Sequence, residues 1–189
     1  MQQSLTDFKD MLKTGNYVVL DTETTGLERG EVVQIGIVES DGTVLFDVLV
    51  KPVNPIPRDA TAIHGITNEM VEDSPSFALL VPSIRDALVG RNVVVYNAVY
   101  DRKMLHQSAE AAGIEKTDWK VISNWWCAME AFAEIYGDWN DYRQSYRWQK
   151  LSTACAFYRV PQQNAHTALA DAQMTLEICK RMIDAQSEV

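Results

Sequence analysis

The hydrophobic residues in the first half of the chain gather into short runs rich in valine, isoleucine and leucine. Four such runs cover residues 17–22, 31–38, 43–50 and 92–96. Short runs of this composition, bounded by Gly, Asp and Ser, are typical of β-strands. Ser40-Asp41-Gly42 separates the second run from the third and is a typical hairpin turn. We therefore expect antiparallel strands first and a buried strand later.

Helices are predicted by capping residues and by apolar positions three or four residues apart. The last helix has the clearest pattern, with one buried face formed by Leu169, Ala172, Leu176, Cys179 and Ile183. The predicted helices cover residues 5–14, 101–112, 126–136 and 168–185, and a further helix begins at Ser74-Pro75 and is kinked or restarted at Pro82. Residues 119–123 are predicted to form a last short strand.

The order of these elements predicts the fold class. An antiparallel run followed by strands that alternate with helices favours one α/β domain with a mixed sheet. We expect residues 1–15 to form an N-terminal helix that packs on a domain of residues 16–189. No repeat, low-complexity tract or interdomain linker is visible.

The amino-acid composition is consistent with one α/β domain. The chain has 189 residues, 47% hydrophobic and 23% charged, which is ordinary for one globular domain. No apolar run is long enough for a membrane helix, and no signal-peptide pattern is visible. Cys127, Cys155 and Cys179 are odd in number and widely separated, which fits neither a disulfide framework nor a zinc site. We therefore expect a cytoplasmic protein.

The net charge narrows the possible partners. The chain has 17 Lys and Arg against 26 Asp and Glu, a net charge of -9. Proteins that hold long nucleic-acid duplexes neutralise phosphates and are mostly basic. The acidity disfavours such a protein, but it is compatible with an enzyme that grips a few nucleotides at one end with the help of bound metal ions.

Two acidic residues stand at the end of the first predicted strand, in Asp21-Thr22-Glu23, directly before a glycine-containing turn. Side chains two positions apart in a strand point to the same face, so both carboxylates project together. Nothing about folding requires two like charges there. A divalent cation between them explains the arrangement, because carboxylate oxygens are the ligands that Mg²⁺ and Mn²⁺ prefer.

Three further residues belong to the same pattern. Asp101 follows the strand of residues 92–96, where open α/β sheets build their sites, although alone it is better explained as an acid at a helix N-terminus. With Thr167 as the N-cap, His166 precedes the last helix and Asp171 lies on its second turn. Asp171 alone fits a solvated acid. Together, four acids and a histidine near one sheet edge indicate a single site.

These segments resemble the motifs of the DEDDh exonucleases, the DnaQ-like family of 3′–5′ exonucleases. The matching segments cover residues 19–27, 96–101 and 166–172, and residues 62–67 match a further family signature. The resemblance covers residues 17 to 183, and His166 indicates the histidine subgroup. It is similar to the group of proofreading subunits and exodeoxyribonucleases.

The sequence also departs from the family pattern. Tyr96 and Tyr100 stand where His and Phe are frequent, and residues 119–150 are longer and richer in Trp and Tyr than usual. Neither departure touches an expected metal ligand.

The resemblance implies an RNase H-like fold with a central five-stranded mixed sheet and a two-metal mechanism. Two Mg²⁺ ions, for which Mn²⁺ can substitute, are expected to be held by Asp21, Glu23, Asp101 and Asp171. Asp21 is expected to bridge both ions. His166 is expected to be the general base, since an imidazole pKa near neutrality suits that role. The expected products are nucleoside 5′-monophosphates.

The same resemblance implies that the substrate is the 3′ end of single-stranded DNA. Contacts to the terminal sugar, base and phosphate are expected from Glu23, Thr24, Gly26, Leu27, His64, Ile66 and Asn97. For His64 and Ile66 the alternative is an ordinary packed loop. Association with a polymerase or a sliding clamp is a weaker expectation, and a membrane partner is not expected.

Three alternative functions stay open at this point. One is a 3′–5′ exoribonuclease that acts on RNA ends or short oligoribonucleotides. Another is a non-catalytic, polymerase-associated binding module, which the presence of all five site residues disfavours. A small-molecule phosphatase is disfavoured because the chain lacks a phosphate-cradling glycine loop and a Cys or Asp nucleophile motif.

Two segments allow a second interpretation. Residues 139–150 interleave aromatic and basic residues, as single-strand binding surfaces do, but we favour a hydrophobic anchor for an irregular connection. Residues 2–8 resemble a clamp-binding peptide, but we favour an amphipathic helix that packs Leu5, Phe8 and Leu12 on the domain.

Overall fold

The computed structural model describes residues 4–162 and 165–184. Its strands are β1 (Tyr17–Thr24), β2 (Val32–Glu39), β3 (Val44–Leu49), β4 (Asn92–Val95), β5 (Asn124–Cys127), β6 (Trp139–Asn140) and β7 (Ser145–Tyr146). Its helices are α1 (Leu5–Lys13), α2 (Arg58–His64), α3 (Phe77–Leu88), α4 (Ala98–Ala111), α5 (Trp119–Ile122), α6 (Ala128–Tyr136), α7 (Leu151–Tyr158) and α8 (Ala168–Asp184). Residues 1–3 and 185–189, at the ends of the two expected segments, lie outside the described residues.

Strands β1 to β5 form one sheet in the order β3-β2-β1-β4-β5. β2 pairs antiparallel with β1 and β3, whereas β4 runs parallel to β1 and β5 runs parallel to β4. The predicted turn joins β2 to β3, where the Thr43 N–H donates to Asp41 Oδ1 at 2.8 Å. The predicted mixed five-stranded sheet is confirmed, and the carboxyl ends of its parallel strands meet at one edge.

The sheet separates two hydrophobic layers because side chains alternate along β1. Val19 packs in the layer that contains Phe8, Phe132 and residues of α8, while Leu20 packs in the layer with α3 and α4. Both strand residues are fully buried. The layers hold the carboxyl ends of β1 and β4 in a fixed position at the edge of the sheet.

α8 lies directly on β2, and its contact point is a glycine. A Cβ atom on Gly36 would come within 2.5 Å of the Leu169 backbone nitrogen, so a larger residue would push the helix away. On the predicted face of α8, Ala172, Leu176 and Cys179 are buried and the two end residues are half-buried. This close approach brings the first two turns of α8 beside the end of β1.

The prediction of a strand at residues 119–123 is wrong. These residues form the short helix α5 and its C-cap, and the edge strand β5 begins at Asn124. Asp118 caps α5 by accepting from the Lys120 N–H at 3.1 Å, and Trp119 is fully buried. The predicted strand is therefore replaced by one turn of helix with a single buried ring.

The predicted start of α3 is also wrong. The helix begins at Phe77 because the preceding backbone pairs with the end of the hairpin, where the Lys51 N–H donates to the Pro75 carbonyl at 2.9 Å. Pro82 lies inside one continuous helix and does not restart it. α4 begins at Ala98, earlier than predicted, and α2 and α7 lie in segments for which no helix was predicted.

α1 packs on the domain as the favoured interpretation requires, with Phe8 and Leu12 only 2% exposed. Gln2 and Gln3 of the clamp-like segment lie outside the described residues. None of the helices in the described part of the chain combines the length and the apolar character needed to cross a membrane.

β6 and β7 form a separate two-stranded hairpin within residues 139–148, which we call the aromatic hairpin. The Tyr142 and Trp148 side chains are 95% and 66% exposed. The expectation that this segment is a hydrophobic anchor is therefore wrong for these two rings.

Candidate active site

β1 carries Asp21 and Glu23 beyond its last pairing with β4 and places both at the edge of the sheet. Asp171, on the second turn of α8, approaches them from the neighbouring layer. Carboxylate oxygens of the three residues all lie within 4.8 Å of one another. The structure therefore joins two of the predicted motifs into one group of acids.

Asp101 lies in the first turn of α4 and is only 3% exposed. Its Oδ1 accepts a hydrogen bond from Thr22 Oγ1 at 2.7 Å. The other three carboxylates form the compact group without it. Asp101 is close enough for its charge to raise the pKa of both Asp21 and Glu23.

The surroundings of these acids raise their pKa values. Burial raises the pKa of Asp21 well above its usual range, and the charges of Asp101, Asp171 and Glu23 raise it further. Burial, together with the charges of Asp171 and Asp101, raises the pKa of Glu23 to about 7. Burial also raises the pKa of Asp101 to about 7, and the hydrogen bond from Thr22 opposes this shift.

A divalent cation fits these residues. Burial raises the pKa of Asp21 and Glu23 first and the neighbouring negative charges raise it further, and a bound cation reverses the second effect. Carboxylate oxygens within 4.8 Å of one another can share an ion without a large rearrangement. Asp21, Glu23 and Asp171 therefore form a centre suited to a divalent metal.

His166 lies in the loop before α8, as predicted, and is exposed. Its backbone has a φ of 73°, in the left-handed region that non-glycine residues rarely adopt. Its N–H donates to Asp171 Oδ1 at 3.2 Å. Burial raises the pKa of Asp171, while this bond and the His166 charge lower it. Thr167 caps α8, with its Oγ1 accepting from the Ala170 N–H at 3.3 Å.

Gln34 is a site residue that the sequence reasoning missed. It lies opposite Glu23 on β2, and its Oε1 accepts from the Ala168 N–H, the first of α8, at 3.1 Å. Its Nε2 donates to Asp47 Oδ1 at 3.1 Å. Gln34 thus ties the start of α8 to the strand beside Glu23. A single buried polar residue inside an apolar strand was the signal that could have revealed it.

A cavity of about 650 Å³ opens beside the carboxylates. Six of the seven predicted substrate contacts line it, namely Glu23, Thr24, Gly26, Leu27, His64 and Asn97. Tyr100 lines it too, and its hydroxyl lies 2.6 Å from Thr24 Oγ1. The structure therefore places a departure from the family pattern within the expected substrate pocket.

The seventh residue, Ile66, does not line this cavity. Its side chain is 3% exposed and packs with Val33, Ile56 and Val71 in a small hydrophobic cluster. The apolar residue at the cavity is Ile63, on α2, which is 63% exposed. The contact expected from Ile66 is therefore available from Ile63.

His64 forms part of the cavity wall although it is only 8% exposed. Its Nδ1 accepts from the Ile66 N–H at 3.0 Å, so a neutral ring carries its proton on Nε2. Burial lowers the pKa of His64, and a contact with the Thr24 backbone opposes this shift. A neutral His64 therefore presents a hydrogen-bond donor.

A second cavity, of about 600 Å³, lies on the other side of α2. His166, Thr167 and Gln173 line it from the α8 side, and Gln34 and His64 line it from the opposite side. His166, whose backbone N–H bonds to Asp171, therefore borders open space.

Comparisons with known proteins agree with this geometry. The model of the RNase_T exonuclease family matches residues 18–179. The uncharacterized exonuclease CP81 of Escherichia phage 186 is 39% identical over 165 residues, which are 85% of this chain and 84% of that protein. The DNA polymerase III subunit epsilon of Escherichia coli (strain K12) is 26% identical over 187 residues, 91% of this chain and 73% of that protein.

A solved structure shows the same fold. Exonuclease X in complex with 5′ overhanging duplex DNA has a TM-score of 0.65 and 25% sequence identity, over 92% of this chain and 93% of that chain. The fold is RNase H-like. The sheet, the acidic group and the family match agree, and the chain belongs to the RNase_T exonuclease family of DnaQ-like enzymes.

Proposed function

We propose that the chain is a metal-dependent 3′–5′ exonuclease that removes nucleoside 5′-monophosphates from the 3′ end of single-stranded DNA. The observation that carries the proposal is the carboxylate group of Asp21, Glu23 and Asp171, of which Glu23 lines a cavity of about 650 Å³. A cavity of this size is within the range that holds a small ligand. It suits one terminal nucleotide better than a long duplex.

Asp21, Glu23 and Asp171 are proposed to hold the divalent ions, with Asp101 completing the set once its bond to Thr22 rearranges. We propose two Mg²⁺ ions, with Mn²⁺ as a substitute. When bound, such ions activate a water molecule and stabilise the leaving oxygen. Such ions would favour the ionised carboxylates, because burial raises the pKa of Asp21, Glu23 and Asp101, and neighbouring negative charges raise that of Asp21 and Glu23 further.

The protein groups supply the remaining steps. His166 is proposed to take the proton of the attacking water, and the second cavity gives its ring open space in which to move. Asp171 holds the His166 backbone through the 3.2 Å hydrogen bond and so limits where the ring can go. The 3′-terminal base is proposed to rest against Leu27, which is 74% exposed, and Ile63.

Two side chains in the wall of the cavity are proposed to contact the sugar and the base. They are His64, whose Nε2 is buried, and Asn97, which lies at the start of α4. The Tyr100 and Thr24 hydroxyls are hydrogen-bonded to each other, and the Tyr100 hydroxyl also lies within hydrogen-bond distance of the Gly26 carbonyl. We propose that these groups fix the terminal nucleotide so that its phosphate meets the carboxylates.

The relatives support DNA as the substrate and a polymerase as a partner. Exonuclease X is described in complex with DNA, and the epsilon proteins are subunits of DNA polymerase III. We propose single-stranded DNA ends as the substrate and treat association with a polymerase as a secondary proposal.

Oligonucleotides of one sequence, made as all-DNA or all-RNA and labelled at the 5′ end, test this function. With Mg²⁺ we expect a ladder that shortens from the 3′ end and faster digestion of the DNA. Faster digestion of the RNA would replace the substrate assignment with an exoribonuclease. Retention of full-length strands with both sugars would contradict the activity itself.

A further inference from the structure

The aromatic hairpin of residues 139–148 has no role in the site described above. Tyr142 is 95% exposed, Trp148 is 66% exposed and Trp139 is 43% exposed. Large rings stabilise a protein mainly when they are removed from water, and these rings keep much of their surface in water. Packing within the described part of the chain therefore does not explain why three rings are placed on one small ribbon.

Side-chain contacts nevertheless order the aromatic hairpin. Trp139 pairs with Tyr146 across the ribbon, with ring centroids 5.0 Å apart in an edge-to-face arrangement. Arg147 bridges Asp138 at 2.9 Å at the base of the ribbon. The Asn140 side chain accepts from the Tyr142 and Arg143 N–H groups at 3.1 Å each and so orders the tip. These contacts give the exposed rings a defined position.

Charge around the hairpin differs from charge on the rest of the chain. Residues 139–150 contain Arg143, Arg147 and Lys150 against one acidic residue, Asp141, while the whole chain has a net charge of -9. Among the described residues, Arg143 and Lys150 make no ion pair. Alternating rings and free cations are the composition of surfaces that stack bases and attract phosphates.

A hydrogen bond connects this segment to the active site. The Tyr96 hydroxyl donates to the Gln149 carbonyl at 2.9 Å, directly after the hairpin. Tyr96 stands next to Asn97, which lines the 650 Å³ cavity. Trp148, one residue before Gln149, is therefore held near the carboxyl end of β4.

We propose that the aromatic hairpin binds the single strand upstream of the nucleotide that is being removed. This inference rests on the proposed function, because the strand in question is the substrate of the carboxylate site. Bases stack on Tyr142 and Trp148, and phosphates follow Arg143 and Lys150. The groove of about 440 Å³ under the hairpin contains Glu130 and Glu134, so phosphates avoid it.

The test compares two double variants. Tyr142→Ala with Trp148→Ala removes both rings, while Tyr142→Phe with Trp148→Phe keeps aromatic faces at both positions. For a DNA strand of about 20 nucleotides we expect the alanine variant to raise KM by about tenfold per ring with kcat unchanged. The phenylalanine variant stays within about threefold of the wild type. On the p-nitrophenyl ester of thymidine 5′-monophosphate, which is too short to reach the hairpin, both variants match the wild type.

A binding measurement separates this inference from the proposed function. Fluorescence anisotropy of a labelled strand gives its affinity for each variant. With Asp21→Asn as the background, no hydrolysis disturbs the measurement. The alanine variant is expected to lose affinity there even if the wild type fails to cleave DNA. Equal strand affinities of the alanine and phenylalanine variants, with equal melting temperatures, would overturn the proposal and leave the hairpin as a surface for a protein partner.

Discussion

The two halves of the carboxylate site are held in different ways. Asp21 and Glu23 belong to β1, which pairs with β2 along most of its length and lies between two hydrophobic layers. His166 belongs to an exposed loop and has a φ of 73°, and its backbone N–H bonds to Asp171. The acids occupy positions fixed by the sheet, while His166, the proposed proton acceptor, stands on a loop.

This difference matches what each group must do. Fixed negative charges at the end of a buried strand are pre-organised for a cation and need no reorganisation when it binds. A general base must reach a water molecule and then release its proton, so room to move is an advantage. Variants of His166 test the loop, variants of Gln34 test its connection to the sheet, and variants of Thr22 and Glu23 test the acids at the end of β1.

The largest effect is expected from His166. His166→Ala and His166→Gly should both lower kcat by about 10³-fold, because both remove the base. Their stabilities should differ, since glycine adopts a positive φ without strain and alanine does not. Urea unfolding should therefore find the glycine variant more stable by about 1 kcal/mol. Equal unfolding free energies would show that the loop does not hold this conformation.

Gln34 is expected to have the next largest effect. Gln34→Ala removes the acceptor for the Ala168 N–H and loosens the start of α8, so kcat should fall by about tenfold. Asp47→Ala is the matched control, because it removes only the other partner of the Gln34 amide. An equal loss in steady-state kinetics for both variants would show that the bond to α8 is not what matters.

Thr22 is expected to affect the carboxylates through its hydrogen bond to Asp101. Thr22→Val keeps the shape of the side chain but removes the bond that favours the ionised form of Asp101, so the pKa of Asp101 should rise further. The acid limb of the pH–rate profile should move to higher pH, with a loss of about threefold near neutral pH. Thr22→Ser keeps the hydroxyl and should leave the profile in place. A valine profile that coincides with the wild type contradicts this role.

The last effect concerns stability without metal, not activity. Burial and repulsion raise the pKa of Glu23 from 4.5 to about 7, so the folded chain holds this proton more tightly than the unfolded chain. The resulting stabilisation is complete below about pH 4 and is lost as the pH rises through about 7. In EDTA, the unfolding free energy of the wild type should fall between about pH 5 and 8 by on the order of 2 kcal/mol more than that of Glu23→Gln. Parallel curves would exclude the shift.

Local sequence signals were sufficient for the central parts of the fold and the site. β1 to β3 and their turn, the cap of α8, and the positions of Asp21, Glu23 and Asp171 follow from residues close together in the chain. Each of these signals is a composition or a spacing that the surrounding structure does not override. The expected cluster of acids was therefore predictable before any three-dimensional contact was known.

The contacts that tune the site were not predictable in the same way. The bond from Thr22 to Asp101 joins residues 79 positions apart, and the bond from Ala168 to Gln34 spans 134 positions. Local patterns carry no information on such pairs. Residues 119–122 show the same limit, because burial of Trp119 and the cap by Asp118 favour a helix where a strand is predicted from the sequence.

The most direct test is a Mg²⁺ titration of the EDTA-treated enzyme that follows a 3′-shortening ladder on a 5′-labelled oligonucleotide. Wild type and Asp86→Asn, which changes an exposed acid on α3, should recover full activity as Mg²⁺ is added. Asp21→Asn should stay at least about 10³-fold less active at every Mg²⁺ concentration while its melting temperature shows a folded chain. Full recovery by Asp21→Asn, or activity of the wild type in EDTA, would contradict a metal-dependent carboxylate centre.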